Sequence, residues 1–538
     1  MATISSLLAD HVSLQVRSVD RLFLQGYVPK LMTEGQVIRF LLDRGFPIPS
    51  PAVLGKMGRG YVNAINDYIA RHQIPTVQFT RGDVKEEIAR THFQTAERER
   101  RFGVVMIGIA QEKTSAWRGW RDGGPDGHPH FVYRRQSIFP NNYYFYIRDP
   151  DWGPAFIKTV AYAPFPVWVY LNGNEWAKQQ AAQHDVAFKP MDNGFASCAD
   201  AQALAAICQS LSAEDVRLFF DRWMAALPSP FTPEDRQRGY SYALAFRQLE
   251  ISDTRVFDRP AAGRAWFEQT IPDQLTLGRP DQAAVIFARR VNSRPPGRFH
   301  TKVFNRGDGA AIQIHFRASK VKQYFKEGRA LRTETTVNDT RDFGVGRLLT
   351  DENWDALINI GHQINQRLLD HQLDACQCAP DATLLERVVL PSTTDDGLPA
   401  AGLRFGEPRT MVLLACLCNF QHLFTGLTNH SLRELIAGLI PGYTARQMTY
   451  DLRRLRRKGF IQRIPRTQRY ELTSEGRRLA VFFTKTYTRI VNPSLAELDP
   501  TLPAEITKRS PLATSYRAFQ RAIEDKIKQA ANRGLTRR

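Results

Sequence analysis

The sequence predicts an α+β protein of several domains, in which a mixed helical and β N-terminal body precedes a smaller C-terminal domain. Its 538 residues are too many for one ordinary hydrophobic core, which favours two to four domains. Hydrophobic residues make up 43% of the chain and charged residues 24%, proportions typical of a folded globular protein. Stretches with helical spacing alternate with aromatic and β-branched stretches, so both kinds of secondary structure are expected.

The N-terminal body divides by composition into three regions. Residues 1–100 space apolar residues three or four apart, as in "EGQVIRFLLDRG", which predicts a helical region. Residues 101–253 are rich in aromatic and β-branched segments broken by Gly, Pro and Asn, which predicts an aromatic-rich α+β domain. Residues 254–378 hold a second strand-rich block and end in a long amphipathic helix. We predict a second α+β domain there, with a basic sheet.

The rest of the chain also divides into three regions. A stretch rich in Pro, Thr and Gly at 379–402 is typical of an interdomain linker. Residues 403–492 contain four helix patterns and one short pair of strand patterns. Residues 493–538 are basic, with the helical spacing of "LATSYRAFQRAIEDKIKQAANRG", which predicts a basic C-terminal helix and tail.

A surplus of basic residues is the strongest global signal. Lys and Arg number 73 against 54 Asp and Glu, a formal net charge of +19. Such a surplus favours a polyanionic partner, nucleic acid before a membrane surface. No apolar run approaches the roughly 18 residues that suggest a membrane span, and the N-terminus does not have the pattern of a secretory signal. We therefore expect no membrane partner and a cytoplasmic location.

The order of elements in the C-terminal domain indicates its fold. Three helix patterns are followed by the strand pair "FIQRI" and "RYELT" and by a fourth helix, "SEGRRLAVFFTKTYTRIV". The motif "YDLRRLRRKGFIQR…RYELTSEGRRLA" resembles the winged helix-turn-helix domain of bacterial transcription regulators, over residues 408–492. The resemblance implies that the third helix is a recognition helix and that the strand pair is the wing.

The third helix and the wing are strongly basic. Between Arg446 and Arg478, eleven Lys and Arg residues stand against three Asp and Glu. Such a helix fits the major groove, and the arginines of the wing can enter the minor groove or bind phosphates. The residues that we predict to contact DNA are Arg446, Gln447, Thr449, Tyr450, Arg453, Arg454 and Arg457 on the helix and Arg463, Arg466, Gln468 and Arg469 on the wing.

A second polar group lies in the body, within residues 320–347. Strand alternation places Lys322, Tyr324 and Lys326 on one face of a strand, and Arg332 and Glu334 on one face of the next strand. Two neighbouring strands of this kind suit a phosphate backbone, so Lys322, Lys326 and Arg332 are further candidate nucleic-acid contacts. They also suit a scissile phosphate beside a metal ion. In the structural alternative, Arg332 and Glu334 pair with each other on a half-buried sheet.

The same segment has a short resemblance to known initiators of replication. The "KVKQYFK" strand followed by "LRTE" resembles part of some plasmid and phage replication-initiation proteins, over residues 320–337. The strand "IQIHF" is loosely similar to the paired metal-binding histidines of rolling-circle nickases, although only one of the two histidines, His315, is present. On this hypothesis Mg²⁺ or Mn²⁺ is the cofactor, and the metal ligands stay unassigned. The candidate catalytic residues are Tyr324 as nucleophile and Glu334, Asp339 and Asp342 as acids.

Tryptophan and arginine alternate in a third segment, "GIAQEKTSAWRGWRDGGPDGHPHF" at 108–131. Tryptophans interleaved with arginines can stack unpaired bases, and as often they fill the core of a loop.

The most direct prediction is a nucleic-acid-binding protein that binds duplex DNA through a C-terminal winged helix. Two alternatives stay open: a metal-dependent nuclease or nicking initiator targeted by the winged helix, and a protein that binds structured RNA.

Overall fold

The computed structural model describes residues 11–123, 129–276, 300–306, 309–376, 382–393, 397–418, 422 and 425–487, together with residues 515, 518, 521 and 522. Most of the predicted C-terminal helix and tail and part of the predicted linker lie outside the described residues. The fold mixes helices with a large mixed sheet. Two compact units divide the chain: the larger falls within Leu7–Phe267 and Arg298–Gln366, and the smaller includes the described residues after Gln366.

The larger unit is built around an eleven-stranded sheet. Its neighbouring strands are antiparallel, except for one parallel pair at an edge, β2 with β3. The strand order across the sheet is β12-β13-β14-β15-β11-β1-β8-β7-β6-β3-β2. The bounds of these strands are β1 Val12–Tyr27, β2 Thr76–Gln78, β3 Gly103–Gln111, β6 Asn141–Asp149, β7 Gly153–Val160, β8 Val167–Asn172, β11 Ala243–Phe257, β12 His300–Arg306, β13 Gly309–Phe316, β14 Ser319–Lys326 and β15 Ala330–Val337.

Strands from both sides of the predicted domain boundaries at residues 100 and 253 belong to this one sheet. Strand β1 lies in the middle of the sheet, between β11 and β8, although residues 1–100 are predicted to be a helical region. Its sequence, "VSLQVRSVDRLFLQGY", alternates buried and more exposed residues, the period of a strand. Periodicity does not reveal which distant strands will pair. A single sheet built from distant segments can therefore look like separate domains in the sequence.

Helices cover parts of the sheet and supply much of its core. The first part of the longest helix packs on one face: Asn365 Nδ2 donates to the Ile251 carbonyl at 2.9 Å, and Thr335 Oγ1 donates to Asn365 Oδ1 at 2.8 Å. The helices are α1 Glu34–Asp43, α2 Pro51–His72, α3 Lys85–Arg98, α4 Gly173–Gln183, α5 Ala201–Ser210, α6 Ala213–Ala226, α7 Pro233–Gln237, α8 Pro260–Thr276 and α9 Asp351–Cys376. Short 3₁₀ helices lie at Pro29–Leu31 and Thr340–Phe343.

Two hairpins of the larger unit stand apart from the large sheet. Strands β4 (Thr114–Gly123) and β5 (Pro129–Ile138) pair with each other, as do β9 (Phe188–Met191) and β10 (Gly194–Cys198). The turn between β9 and β10 contains Asn193, which is buried. The β4–β5 hairpin has polar residues on the surface, and the β9–β10 hairpin places the polar Asn193 beside the large sheet.

The smaller unit has its own core of buried apolar residues. Its described elements are α10 Ala382–Val389, the strand pair β16 Ser392–Thr393 and β17 Pro399–Ala400, α11 Pro408–Leu417, α12 Asn429–Ala437, α13 Ala445–Arg457, the hairpin of β18 Ile461–Arg463 and β19 Tyr470–Leu472, and α14 Ser474–Thr486. Thus three helices, a hairpin and a further helix follow one another between residues 408 and 486. Within the described part of the chain, no helix combines the length and apolar character needed to cross a membrane.

Candidate nucleic-acid interface

Helix α13 is amphipathic and has a basic outer face. It begins after Thr444, which forms a capping box with Gln447, and it ends before Gly459, whose φ is 74°. The apolar residues of its inner face are buried: Met448, Leu452 and Leu455. The exposed residues of the helix include Arg446, Thr449, Tyr450, Arg453 and Arg456. Because these residues recur at spacings of three and four, they form one outer face.

The outer face of α13 carries arginines that have no partner among the residues that the structure describes. Arg446, Arg453 and Arg456 make no side-chain hydrogen bond or ion pair with any residue that the structure describes. The Tyr450 ring is 47% exposed, and the Arg409 guanidinium lies 5.8 Å from its centroid. Three cations on one helix face therefore lack a counter-charge in the described chain, an arrangement suited to an anionic partner.

A groove lies beside this face, bordered by the start of α12, by α13 and by the β18–β19 hairpin. Its volume is about 400 Å³. Asn429 Nδ2 donates to Thr449 Oγ1 at 3.1 Å and so joins the two helices at the groove. The lining residues are Thr428, Asn429, His430, Thr449, Leu452, Arg453, Arg456, Gln468 and Tyr470. No Asp or Glu is among these residues, so the groove presents the positive charge of its two arginines.

The β18–β19 hairpin carries the predicted wing residues on its exposed surface. Arg463 Nε donates to the Thr467 carbonyl at 2.8 Å, and Arg469 Nη1 donates to the Thr425 carbonyl at 3.1 Å. Both arginines keep part of their donor capacity, because a guanidinium has five N–H groups. Arg466 lies in the turn with a φ of 58°, and its exposed side chain has no hydrogen bond to a described residue.

Arg454 differs from its neighbours because it points into the smaller unit. It is 9% exposed, and its Nη2 donates to Asp451 Oδ1 at 3.1 Å. The Asp451 carboxylate is completely buried, and it also accepts from Arg409 Nε at 3.0 Å and from the Tyr443 hydroxyl. The sequence predicts Arg454 on the DNA-facing side. The structure places it inside, because a buried carboxylate needs charged and polar partners.

Two further basic residues at the end of α13 also hold the fold together. Arg457 Nη1 donates to the Pro399 carbonyl at 2.7 Å. Lys458 is 2% exposed, and burial lowers its pKa. Its ammonium donates to three oxygens near the end of α10, the carbonyls of Arg387 and Leu390 at 2.6 and 3.0 Å and Ser392 Oγ at 3.2 Å. Positions 453–458 contain five basic residues. Three of them have partners within the smaller unit, and Arg453 and Arg456 lie on the exposed face.

Arg456 is an exposed arginine that the sequence prediction omits. A helical wheel contains the signal, since Arg446, Thr449, Arg453 and Arg456 are separated by three, four and three residues. Gln447, which the prediction includes, uses its side-chain oxygen to cap the helix at the Thr444 N–H, at 2.8 Å. The outer face of α13 therefore has fewer available side chains than the sequence predicts.

The polar residues of β14 and β15 share one sheet face, as strand alternation predicts. Lys322 pairs in register with Glu334, and Tyr324 with Arg332. Lys326 has a side chain that is 12% exposed and lies 3.5 Å from the Glu327 carboxylate. The arrangement is more buried than an open phosphate-binding surface would be.

Arg332 is the centre of a buried ionic network in the larger unit. Its side chain is 1% exposed, as is that of Asp20, and Nη2 lies 2.5 Å from Asp20 Oδ2. Nη1 donates to the Asn193 carbonyl at 2.5 Å, and Nε lies 2.8 Å from Glu334 Oε1. Asn193 Nδ2 also donates to Asp20 Oδ1 at 2.5 Å. Strand β1, the hairpin β9–β10 and strand β15 therefore meet at one guanidinium, and the sequence pattern gives no sign of Asp20 or Asn193.

Glu334 is an ion-paired carboxylate. The Tyr324 hydroxyl donates to Oε1 at 2.7 Å, and Lys322 Nζ lies 3.4 Å from Oε2. Burial alone would raise the pKa of Glu334, but Arg332 and Lys322 outweigh it and lower the pKa to about 2. Burial and the Glu334 charge both raise the pKa of the Tyr324 phenol. Glu334 would have to exchange these partners to hold a metal ion, and Tyr324 would have to lose a proton beside a carboxylate to act as a nucleophile.

The other predicted acids have separate partners. Asp339 accepts from Arg347 Nη2 at 2.9 Å; its pKa is about 2, since the hydrogen bonds from Arg347 and Arg341 outweigh the effect of burial. Asp342 accepts from the Ser319 hydroxyl at 2.8 Å and from two backbone N–H groups. In the described residues, no group of three or more His, Cys, Asp and Glu side chains is arranged to hold a metal ion. Each predicted acid thus has a structural role in its strand or turn.

Comparison of the chain with protein-family models, with curated proteins and with solved structures gave no significant match.

Proposed function

We propose that residues 408–486 form a winged helix-turn-helix domain that binds duplex DNA, with α13 as the recognition helix and the β18–β19 hairpin as the wing. One observation carries the proposal. Among the basic residues of α13 and its C-terminal cap, Arg454, Arg457 and Lys458 have protein partners, whereas Arg446, Arg453 and Arg456 are exposed on one face without a described partner. Arginines that were only part of a solvated surface would be interspersed with carboxylates.

The dimensions of α13 fit this role. Its 13 residues span about 20 Å at 1.5 Å per residue, and the major groove of DNA is about 12 Å wide and admits one α-helix. Arg446 and Tyr450, near the start of the helix, would face base edges. Arg453 and Arg456 would bind phosphates, and Arg466 in the turn of the wing would reach the neighbouring backbone or the minor groove.

A salt titration of the full-length protein tests this assignment. For duplex DNA, the logarithm of the affinity falls with the logarithm of salt concentration by about 0.9 per phosphate contact. We expect the double variant Arg453→Ala, Arg456→Ala to bind more weakly than wild type and to lower the slope by about 1.8. Fluorescence anisotropy with a labelled duplex measures both quantities.

The matched control is Arg71→Ala with Arg90→Ala, which removes the same charge from exposed helical positions in the larger unit. This control should retain the wild-type slope. An equal loss of slope in the two double variants would mean that only the net charge of the protein matters, and the proposed interface on α13 would be wrong.

A further inference from the structure

The β4–β5 hairpin has one face packed on the larger unit and one exposed face. On the packed face, Trp117 is 8% exposed and donates from Nε1 to the Leu31 carbonyl at 2.9 Å, and Tyr133 is 1% exposed. Gly119 lies so close to α2 that an added Cβ would be 2.5 Å from Pro51 Cγ. The hairpin is therefore fixed on the unit, and at the alternate positions Arg118, Trp120 and Arg134 are exposed on the opposite face.

The exposed face brings together two arginines that have no counter-charge among the described residues. Arg118 and Arg134 are direct partners across the strands, which places their Cβ atoms roughly 5 Å apart. Like charges in this position destabilise a strand pair. Neither arginine forms an ion pair with a carboxylate in the described part of the chain. The repulsion between them would be relieved by a bound anion.

Exposed aromatic rings lie beside these arginines. Trp120 follows Arg118 by two residues on the same face of β4, and it is 47% exposed. Tyr162 is 42% exposed, and the Arg118 guanidinium lies 6.0 Å from its ring centroid. The two tryptophans of the "AWRGWR" segment therefore have different roles: Trp117 fills the core, and Trp120 has a ring available to a partner.

We propose that the exposed face of the β4–β5 hairpin binds single-stranded nucleic acid, with Trp120 stacked on a base and Arg118 and Arg134 on the backbone phosphates. Phosphates supply the missing counter-charge, and every base offers a flat face to an indole ring. Base faces in a duplex are covered by neighbouring base pairs, so an indole on a hairpin surface can stack only on an unpaired base. This site is distinct from the duplex-binding face proposed on α13.

Binding of a labelled oligothymidylate to the full-length protein tests the proposal. Trp120→Ala should weaken binding by roughly 5- to 150-fold, the range for loss of one base–aromatic stack, and Trp120→Phe should weaken it less. The control Phe102→Ala removes another exposed ring, 53% exposed and with an arginine 4.4 Å from its centroid, and should leave the affinity unchanged.

The arginines give a second, independent readout. Arg118→Ala and Arg134→Ala should each lower the salt slope for the oligonucleotide by about 0.7, the value for one single-strand phosphate contact. Each should leave the melting temperature unchanged or higher, because the substitution removes a like-charge pair. A wild-type protein that does not bind the oligonucleotide, or a Trp120→Ala variant that binds it as wild type does, overturns the proposal.

Two measurements distinguish a binding role of the hairpin from a structural role and from binding at α13. A lower melting temperature of Trp120→Ala, matching its loss of binding, would mean that the indole is part of the core, and the proposal would fail. The double variant Arg453→Ala, Arg456→Ala should lose duplex affinity and keep single-strand affinity. If it loses single-strand affinity instead, while Trp120→Ala does not, the hairpin site is wrong and α13 binds both forms.

Discussion

Arg332 in the large sheet and Arg453 on α13 have the same side chain in opposite surroundings. Arg332 is 1% exposed and has two carboxylates and a carbonyl around it. Arg453 is exposed and has no side-chain partner among the described residues. A buried guanidinium is desolvated and depends on its fixed partners, so its role is structural. An exposed and unpartnered one contributes little to stability and keeps its donors for a ligand.

Two basic clusters that look alike in the sequence differ in their surroundings. Both "KVKQYFK…LRTE" and "RRLRRKG" are rich in cations, and both are predicted from the sequence to contact nucleic acid. In the sheet cluster, Asp20 and Glu334 are counter-charges for Arg332, and Glu334 is also paired with Lys322. In the smaller unit, the buried Asp451 is paired with Arg454 and Arg409. The arginines on the outer face of α13 have no carboxylate partner among the described residues.

The largest expected effect is the loss of stability on removing the buried guanidinium. Arg332→Met keeps similar bulk but leaves Asp20 and Glu334 facing each other without their shared cation. We expect the free energy of unfolding to fall by about 3–5 kcal/mol, the usual range for breaking a buried ion pair. Urea unfolding of the full-length protein, followed by circular dichroism, measures this change.

The same substitution on the exposed face is the control. Arg453→Met should change the free energy of unfolding by no more than about 0.5 kcal/mol, as is usual for surface positions. If Arg332→Met and Arg453→Met lower the free energy of unfolding by similar amounts, the distinction between a structural and an available arginine is wrong.

A smaller effect is expected from the pH dependence of Glu334. Because Arg332 and Lys322 lower its pKa in the folded protein to about 2, from about 4.3 in the unfolded chain, the unfolded state binds the proton more tightly. The stabilisation is therefore complete above the unfolded pKa and is lost as the pH falls from about 5 towards 2. Each pKa unit corresponds to about 1.4 kcal/mol, so the contribution is on the order of 3 kcal/mol.

Glu334→Gln tests this contribution directly. The variant should be less stable than wild type at neutral pH, and the difference should shrink as the pH falls below about 4. A variant as stable as wild type at neutral pH would indicate mutual repulsion among carboxylates at this site. A metal-dependent cleavage assay on the same variant would then decide whether the site is catalytic.

The sequence predicts local structure well and long-range pairing poorly. The helices and hairpin between residues 408 and 486 follow the predicted order because caps such as Thr444 and stops such as Gly459 act within a few residues. The joining of β1 to β8 and β11 depends on contacts more than 140 residues away, which leave no periodic signal. The same limit hides the network around Arg332, since Asp20 and Asn193 come from distant segments.

Burial decides which of the candidate site residues are available to a partner. Helical spacing alone identifies the exposed Arg446 and Arg453, but it cannot show that Asp451 is buried and therefore needs Arg454. On the β4–β5 hairpin, strand alternation places Trp117 and Trp120 on opposite faces without saying which face is packed. The close approach of Gly119 to Pro51 shows that the packed face is that of Trp117. Side-chain partners, rather than charge counts, distinguish available residues from structural ones.

Within the smaller unit, the start of α13 and the turn of the β18–β19 hairpin are expected to make different contacts with DNA. Arg446→Ala should relax the sequence preference of duplex binding by about 1–3 kcal/mol at one base position, because a side chain near the start of a recognition helix contacts base edges. Arg466→Ala should weaken binding to all sequences about equally, since its contact would be to the backbone. Affinities of both variants for a panel of duplexes with single base changes measure the difference. Both residues are exposed and have no described partner, so neither substitution should alter the melting temperature. If the two variants change affinity by the same factor across the whole panel, α13 does not lie in the major groove with its first turn at the bases.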